Sequence, residues 1–136
     1  MTTLFTKIIQ GELPSFKIYE NEQHFAFLST QPLTEGHTLV VPKKEIDTWT
    51  DLNDEEVSKL FIVSKKIALH LQGVFQVKRV AIIVAGFMVP HTHVHLIPCN
   101  SESELDFSLA KKADFGELEK IQKQIVENKT LQLIMN

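Results

Sequence analysis

His91-Thr92-His93-Val94-His95-Leu96-Ile97-Pro98, residues 91–98, gathers three of the chain's six histidines into five positions. Successive side chains of an extended strand point to opposite faces. The spacing therefore predicts a strand over 91–97 with His91, His93 and His95 on one face and Thr92, Val94 and Leu96 on the other. Neighbouring imidazoles on that face would stand ~7 Å apart at a rise of about 3.3 Å per residue, close enough to share one phosphate-sized group. Just upstream, residues 79–84 form a continuous apolar run that reads as the partner strand, buried on both sides.

Before that run lies the clearest helix, from Asn53 with Glu56 as its capping-box partner to a stop at Gly73. Val57, Leu60, Phe61, Ser64, Ile67, Ala68 and Leu71 recur at the spacing that makes one core-facing stripe. Further upstream, residues 16–20 and 24–28 are apolar-rich runs joined by Asn21-Glu22-Gln23, a hairpin pattern. Residues 37–42 make a third strand between Gly36 and Pro42, after a polar turn over 31–36. Residues 4–10 carry Leu4, Phe5, Ile8 and Ile9 at helical spacing and stop at Gly11, a short helix. Downstream of the histidines, 100–113 reads as loop. A second helix starts at Asp114, with Glu117 as capping partner, and buries Phe115, Leu118, Ile121 and Ile125. Five short strands with two main helices grouped after the third and fifth predict an α+β fold on a mainly antiparallel sheet.

The chain has 136 residues, 43% hydrophobic and 23% charged, which suits one domain spanning 1–136. A chain of this size buries ~68% of its unfolded surface and needs no metal or disulfide to hold a core. Cys99 is the lone cysteine, so no intrachain disulfide forms, and a reducing compartment is expected. Fourteen basic against seventeen acidic residues provide no broad positive field for a nucleic-acid polymer. No apolar run approaches the ~18 residues of a membrane span, and Lys7 interrupts residues 1–10 where a leader would have its apolar middle. The expectation is a cytoplasmic protein without a membrane partner.

Three readings compete for the histidine cluster. A solvated strand face would be a coincidence, since histidine is neither a strong strand former nor a common surface repeat. A structural zinc site would use neutral imidazoles as ligands, but it needs a fourth ligand, and no CxxC or HExxH partner exists, although Cys99 lies near. Nucleophilic catalysis is the third: one imidazole attacks an electrophilic phosphorus while its neighbours position and stabilise charge. The attacking nitrogen must be unprotonated, so the other ring nitrogen should donate to a fixed acceptor such as a backbone carbonyl.

The His-x-His-x-His pattern followed by Leu96-Ile97 resembles that of the histidine triad (HIT) family. So do Phe5-x-Lys7-Ile8-Ile9 with Gly11-Glu12-x-Pro14, Ala26-Phe27-Leu28 with Pro32, and residues 36–43, Gly-His-Thr-Leu-Val-Val-Pro-Lys, in the same order. Val-Pro-His-Thr-His-Val-His-Leu-Ile-Pro over 89–98 is similar to the block of one bacterial branch. The resemblance covers about 4–98 and leaves 99–136 as a variable C-terminal segment. It implies a five-stranded antiparallel sheet with two main helices, paired into a homodimer. By resemblance, His93 would be the nucleophile on the α-phosphorus of a purine nucleotide derivative, of phosphoramidate or dinucleoside polyphosphate type, and would hold a nucleotidyl-histidine intermediate until water attacks. His95 would bond the phosphoryl oxygens, the His91 carbonyl would hold the His93 tautomer, and His37 would be the fourth histidine beside the triad. Phe5, Ile8, Phe27, Leu28, Ser29 and Leu39 resemble the residues around base and sugar. No cofactor and no metal are implied, and the two N-terminal cysteines of a zinc-binding subgroup are absent.

Three positions depart from the family pattern. Ser29 stands where many members carry an Asp that bonds both ribose hydroxyls, and it offers one hydroxyl and no charge. Phe87 and Met88 replace polar residues, one of which contacts the leaving group. These changes leave open an alternative, a nucleotide-binding module with little or no turnover. His24 and His70 are expected to be structural, the latter complementing a helix end, and Trp49 is expected to pack. Lys43 and Lys44 are either a solvated surface or an electrostatic steer, and Glu102, Glu104 and Asp106 form no acid/base pair.

Overall fold

Asn53 Oδ1 accepts from the Glu56 backbone N–H at 2.8 Å, and the Glu56 carboxylate accepts from the Asn53 N–H at 2.9 Å. This reciprocal cap, a device that contributes about 1 kcal/mol, starts the helix Asp54–Phe75, here α2. The helix does not stop at Gly73. It runs on because Val74 and Phe75 pack against the core, and it ends with Gln76 in the left-handed region at φ 51°. On its inner face Leu60, Val63, Ser64, Ile67, His70 and Leu71 are buried, whereas Phe61 is only half-buried.

The computed structural model describes residues 2–136; Met1, at the head of the stretch read above as lacking a leader pattern, lies outside them. The other elements are α1 (Leu4–Ile9), β1 (Lys17–Glu20), β2 (His24–Leu28), β3 (Thr38–Pro42), β4 (Arg79–Ile83), β5 (Val94–Cys99), α3 (Phe115–Val126) and α4 (Thr130–Met135). The five strands form one sheet in the order β1-β2-β3-β5-β4 with every pairing antiparallel. This is the α+β architecture expected.

β2 and β3 are buried along their whole length because both faces of the sheet are covered there. Ala26, Leu28 and Val40 face one way, into a core shared with α2 and with Leu118 and Ile125 of α3. Phe25, Phe27, Leu39 and Val41 alternate to the other side, under Phe5, Ile8 and Ile9 of α1. The period-two alternation of these strands thus sorts one sequence into two cores.

Four further expectations are corrected. The apolar run of β4 is not buried on both sides: among the described residues β4 is an edge strand paired with β5 alone, and Ile82 is 46% exposed. An apolar run shows β character but not which neighbours a strand acquires. Phe115 opens α3 half exposed, edge-on to Phe16 at 5.5 Å between ring centres, rather than buried. Residues 100–113 hold two short 3-10 turns, Glu102–Leu105 and Phe107–Leu109, and α4 follows α3 at the C-terminal end. His70 lies well inside α2 rather than at its end. Its Nδ1 lies 3.0 Å from Thr130 Oγ1 and its Nε2 donates to the Ile125 carbonyl at 2.8 Å, so it ties α2 to α3 and α4.

Candidate active site

Strand register brings the site together. Leu39 on β3 stands opposite Phe27 on β2 and opposite His95 on β5. Directly opposed residues of an antiparallel pair share a face. His95 is thereby placed on the α1 side of the sheet, beside the apolar residues there.

The triad itself is not one strand face. β5 begins at Val94, and His91 and His93 approach it in irregular extended backbone. His91 turns inward and is fully buried. Its Nε2 donates to the Pro42 carbonyl at 2.7 Å and its Nδ1 lies 2.8 Å from Thr3 Oγ1. A ring engaged at both nitrogens has no lone pair to offer a substrate, so only two of the three triad imidazoles face the cleft. Thr3 is fixed in turn by Glu45, whose carboxylate accepts from the Thr3 N–H and the Thr6 hydroxyl, both at 2.7 Å. Those bonds hold the Glu45 carboxyl below the usual carboxylate range. They tie α1 to the loop after β3.

His93 Nδ1 lies 2.7 Å from the His91 carbonyl oxygen. A carbonyl only accepts, so the proton of neutral His93 sits on Nδ1 and the lone pair on Nε2. Burial lowers the His93 pKa, opposed by the bond to the His91 carbonyl. The Phe5 ring packs edge-on against His93 at 4.9 Å between centres.

A second chain of bonds orients His95. The Leu33 backbone N–H donates to His37 Nδ1 at 3.0 Å, and His37 Nε2 lies 3.0 Å from His95 Nδ1. Because Nδ1 of His37 accepts, its proton sits on Nε2 and is donated to His95 Nδ1, which leaves the proton of neutral His95 on Nε2. Burial brings His37 down to about 4. Burial first, then the nearby His37 and His93, brings His95 down to about 3. At neutral pH both rings are uncharged.

These rings open onto a cavity of about 560 Å³. Its walls include His37, His93 and His95 together with all six residues expected around a nucleotide, Phe5, Ile8, Phe27, Leu28, Ser29 and Leu39. Phe5 serves the core and the cavity at once, being 5% exposed. The Ser29 hydroxyl accepts from the Gln31 N–H at 3.2 Å. Lys43 and Lys44 are not part of the lining; they pair with Glu20 and Glu56 at 2.7 and 2.9 Å. Among the described residues no group of three or more His, Cys, Asp and Glu is placed to hold a metal ion.

Phe107 is a site residue that sequence reasoning missed, as it missed Thr3 and Glu45 behind His91. Asp106 caps the turn carrying Phe107, accepting from the Ser108 N–H at 2.9 Å and the Ser108 hydroxyl at 2.7 Å. The Phe107 ring then lies edge-on to His95 at 5.0 Å between centres. The Asp-x-Ser cap was the available signal for a turn, but nothing local connects it to a histidine twelve residues upstream.

A sequence profile described as the HIT domain matches residues 10–102. The chain belongs to this family. It is 38% identical over 100 residues to an uncharacterized 16.1 kDa HIT-like protein of Mycoplasma pneumoniae, covering 70% of this chain and 69% of that one. It is 33% identical over 126 residues to the adenosine 5′-monophosphoramidase HNT1 of Saccharomyces cerevisiae, covering 90% of this chain and 80% of that one. Among solved structures, a hypothetical histidine triad nucleotide-binding protein from Sulfolobus tokodaii superposes with a TM-score of 0.83 at 27% identity, covering 96% and 92% of the two chains. Among the described residues no helix is long and apolar enough to cross a membrane.

Proposed function

We propose that this protein cleaves the bond between the α-phosphorus of a purine nucleoside monophosphate and a leaving group, through a nucleotidyl intermediate on His93. The carrying observation is the 2.7 Å contact of His93 Nδ1 with the His91 carbonyl, which directs an unprotonated Nε2 at the cavity. The yeast relative's monophosphoramidase activity supports the same class of substrate.

On a phosphoramidate, the Nε2 lone pair forms a bond to phosphorus as the P–N bond breaks. The leaving nitrogen keeps the bonding pair and takes a proton from solvent to depart as an amine. His95 Nε2–H donates to a phosphoryl oxygen as charge gathers there, a preorganised role of the oxyanion-hole kind. Water then adds to phosphorus, the bond to His93 breaks, a proton returns to solvent, and the nucleoside monophosphate leaves. Phe5, Ile8, Phe27 and Leu39 supply the apolar end for base and sugar, Leu28 borders the cavity while its side chain lies in the α2 core, and Ser29 offers a single hydroxyl for the ribose. His93 and His95 carry the chemistry, positioned by the His91 carbonyl and by His37, with no cofactor.

The same proposal takes 1–136 as one unit that acts as a homodimer. The unpaired edge of β4 with exposed Ile82, and Ile62 and Leu69 one heptad apart on the outer face of α2, support a second copy there. The buried, unpaired thiol of Cys99 fits a cytoplasmic setting.

AMP release from adenosine 5′-phosphoramidate, measured with chelator present in wild type and His93→Ala, is the test. Turnover that survives chelation and disappears in His93→Ala is expected. AMP binding without release from wild type would instead support the nucleotide-binding module.

A further inference from the structure

The cavity has two unlike ends. Phe5, Phe27 and Leu39 close the inner one, at 5%, 4% and 7% exposure. The outer rim carries Phe87 and Met88, 96% and 90% exposed, and Phe107, 44% exposed against His95. None of the described residues lining the cavity is Lys, Arg, Asp or Glu. Displacement at phosphorus runs roughly in line, so the departing atom lies opposite the attacking nitrogen. With the base in the closed apolar end and phosphorus at His93, the leaving group is directed outward, among the rim side chains.

We propose that Phe107, held edge-on to His95, forms with Phe87 and Met88 an apolar leaving-group subsite, so that the preferred substrate is a nucleotide whose phosphorus bears an uncharged, apolar amine. The inference rests on the proposed function and narrows it. A polyphosphate leaving group would bring further negative charges to a rim whose described residues include no cationic side chain, so it gains no ion pair there and covers no apolar surface. Lys43 and Lys44 do not relieve this, because their ammonium groups are engaged by Glu20 and Glu56. An aromatic or alkyl amine would instead cover Phe87 and Met88 and remove their apolar surface from water.

The test compares adenosine 5′-phosphoramidates of phenethylamine and of β-alanine, which share the same linkage and differ in a phenyl against a carboxylate, with diadenosine triphosphate as third substrate. The expected kcat/KM favours phenethylamine over β-alanine by about ten-fold or more, the scale of a discriminating apolar contact. Diadenosine triphosphate should fall below both. In Phe107→Ala, and in Phe87→Ala combined with Met88→Ala, the ratio should collapse toward one. Dissociation constants for the non-hydrolysable methylenephosphonate analogues of the two amides, measured by calorimetry, give the same comparison without turnover. If adenosine 5′-phosphoramidate is cleaved but both ratios are flat or reversed, the subsite is wrong and the proposed function stands. If nothing is cleaved but the binding ratio favours the phenethyl analogue, the function fails and the apolar rim stands. A change in oligomeric state on Phe87 and Met88 substitution, with the ratios unaltered, would assign the rim to a second copy and overturn the proposal.

Discussion

His37 Nε2 donates to His95 Nδ1 across 3.0 Å, and the Leu33 backbone N–H donates to the far nitrogen of His37. A main-chain amide cannot change its proton, so it sets the tautomer of both rings in series and leaves His95 a donor toward the cavity. His37 is therefore a positioning residue. His95→Ala should lower kcat by on the order of 10²-fold, the cost of losing one preorganised donor. His37→Ala should lower kcat less than His95→Ala does. His37→Gln, whose amide can still donate to His95 Nδ1, should recover part of the loss. Equal kcat in His37→Ala and His37→Gln would show that the His37 donor is not what orients His95.

The pH dependence of the rate follows from His93. Burial holds its pKa below the usual 6.5, so the free lone pair is present throughout the neutral range. A base that must be unprotonated gives a rate that falls as pH drops through its pKa. kcat/KM for the phosphoramidate should be level above pH 6.5 and decline only on the acid side. A midpoint at or above 6.5 for the acid limb would contradict a desolvated nucleophile.

Stability should fall over a neighbouring window for a different reason. His37 and His95 stay neutral in the fold down to about 4 and about 3, whereas in the unfolded chain both take protons near 6.5. Between these values the unfolded state binds more protons, so unfolding becomes easier as pH falls, and the effect levels off below the folded pKa values. His24 and His93, also lowered, act in the same direction. The hydrogen-bonded carboxylates of Glu20, Glu45 and Glu56 begin to matter only below 4.5, leaving a window above it in which histidines dominate. The melting temperature should drop by about 5 °C or more from pH 7.5 to pH 5. His37→Gln should reduce that drop. An unchanged melting temperature across the window would mean that these rings are not held neutral.

How far the sequence foretold this site depends on whether a residue's place follows from a local pattern. Residues 24–28 and 37–42 are legible as strands from their apolar runs, but because both are buried on both faces the pattern does not say which side Phe27, Leu39 and Val41 take, and it is register that carries His95 to Leu39. The Asn53 capping box, by contrast, acts within one turn of its helix. His91 escapes the alternation because Pro42 and Thr3, distant in sequence, engage both of its nitrogens and pull it out of the strand. Phe107 and the edge position of β4 were hidden for the same reason. Each is set by a partner far along the chain, and periodicity does not encode partners. Phe5 and Ile8 belong to the core and to the cavity wall together, a double role that helical spacing over 4–10 does not reveal.

Gly36 gives the sharpest link between the fold and the site. Its φ of +88° lies in the region that L side chains rarely adopt, and an added Cβ would overlap the Phe75 ring at the end of α2. The next residue is His37, whose N–H donates to the Thr34 carbonyl at 3.2 Å and whose ring begins the relay to His95. Gly36→Ala therefore carries a backbone penalty of about 1 to 2 kcal/mol and a steric one from the ring. Phe75→Leu in the same chain makes room for the methyl group but leaves the backbone penalty in place. Gly36→Ala alone should lower both stability, read by urea denaturation, and kcat, because relief of the clash moves His37. Adding Phe75→Leu should restore kcat more completely than stability. Loss of stability with kcat unchanged in the single variant would show that the turn can yield without disturbing the relay.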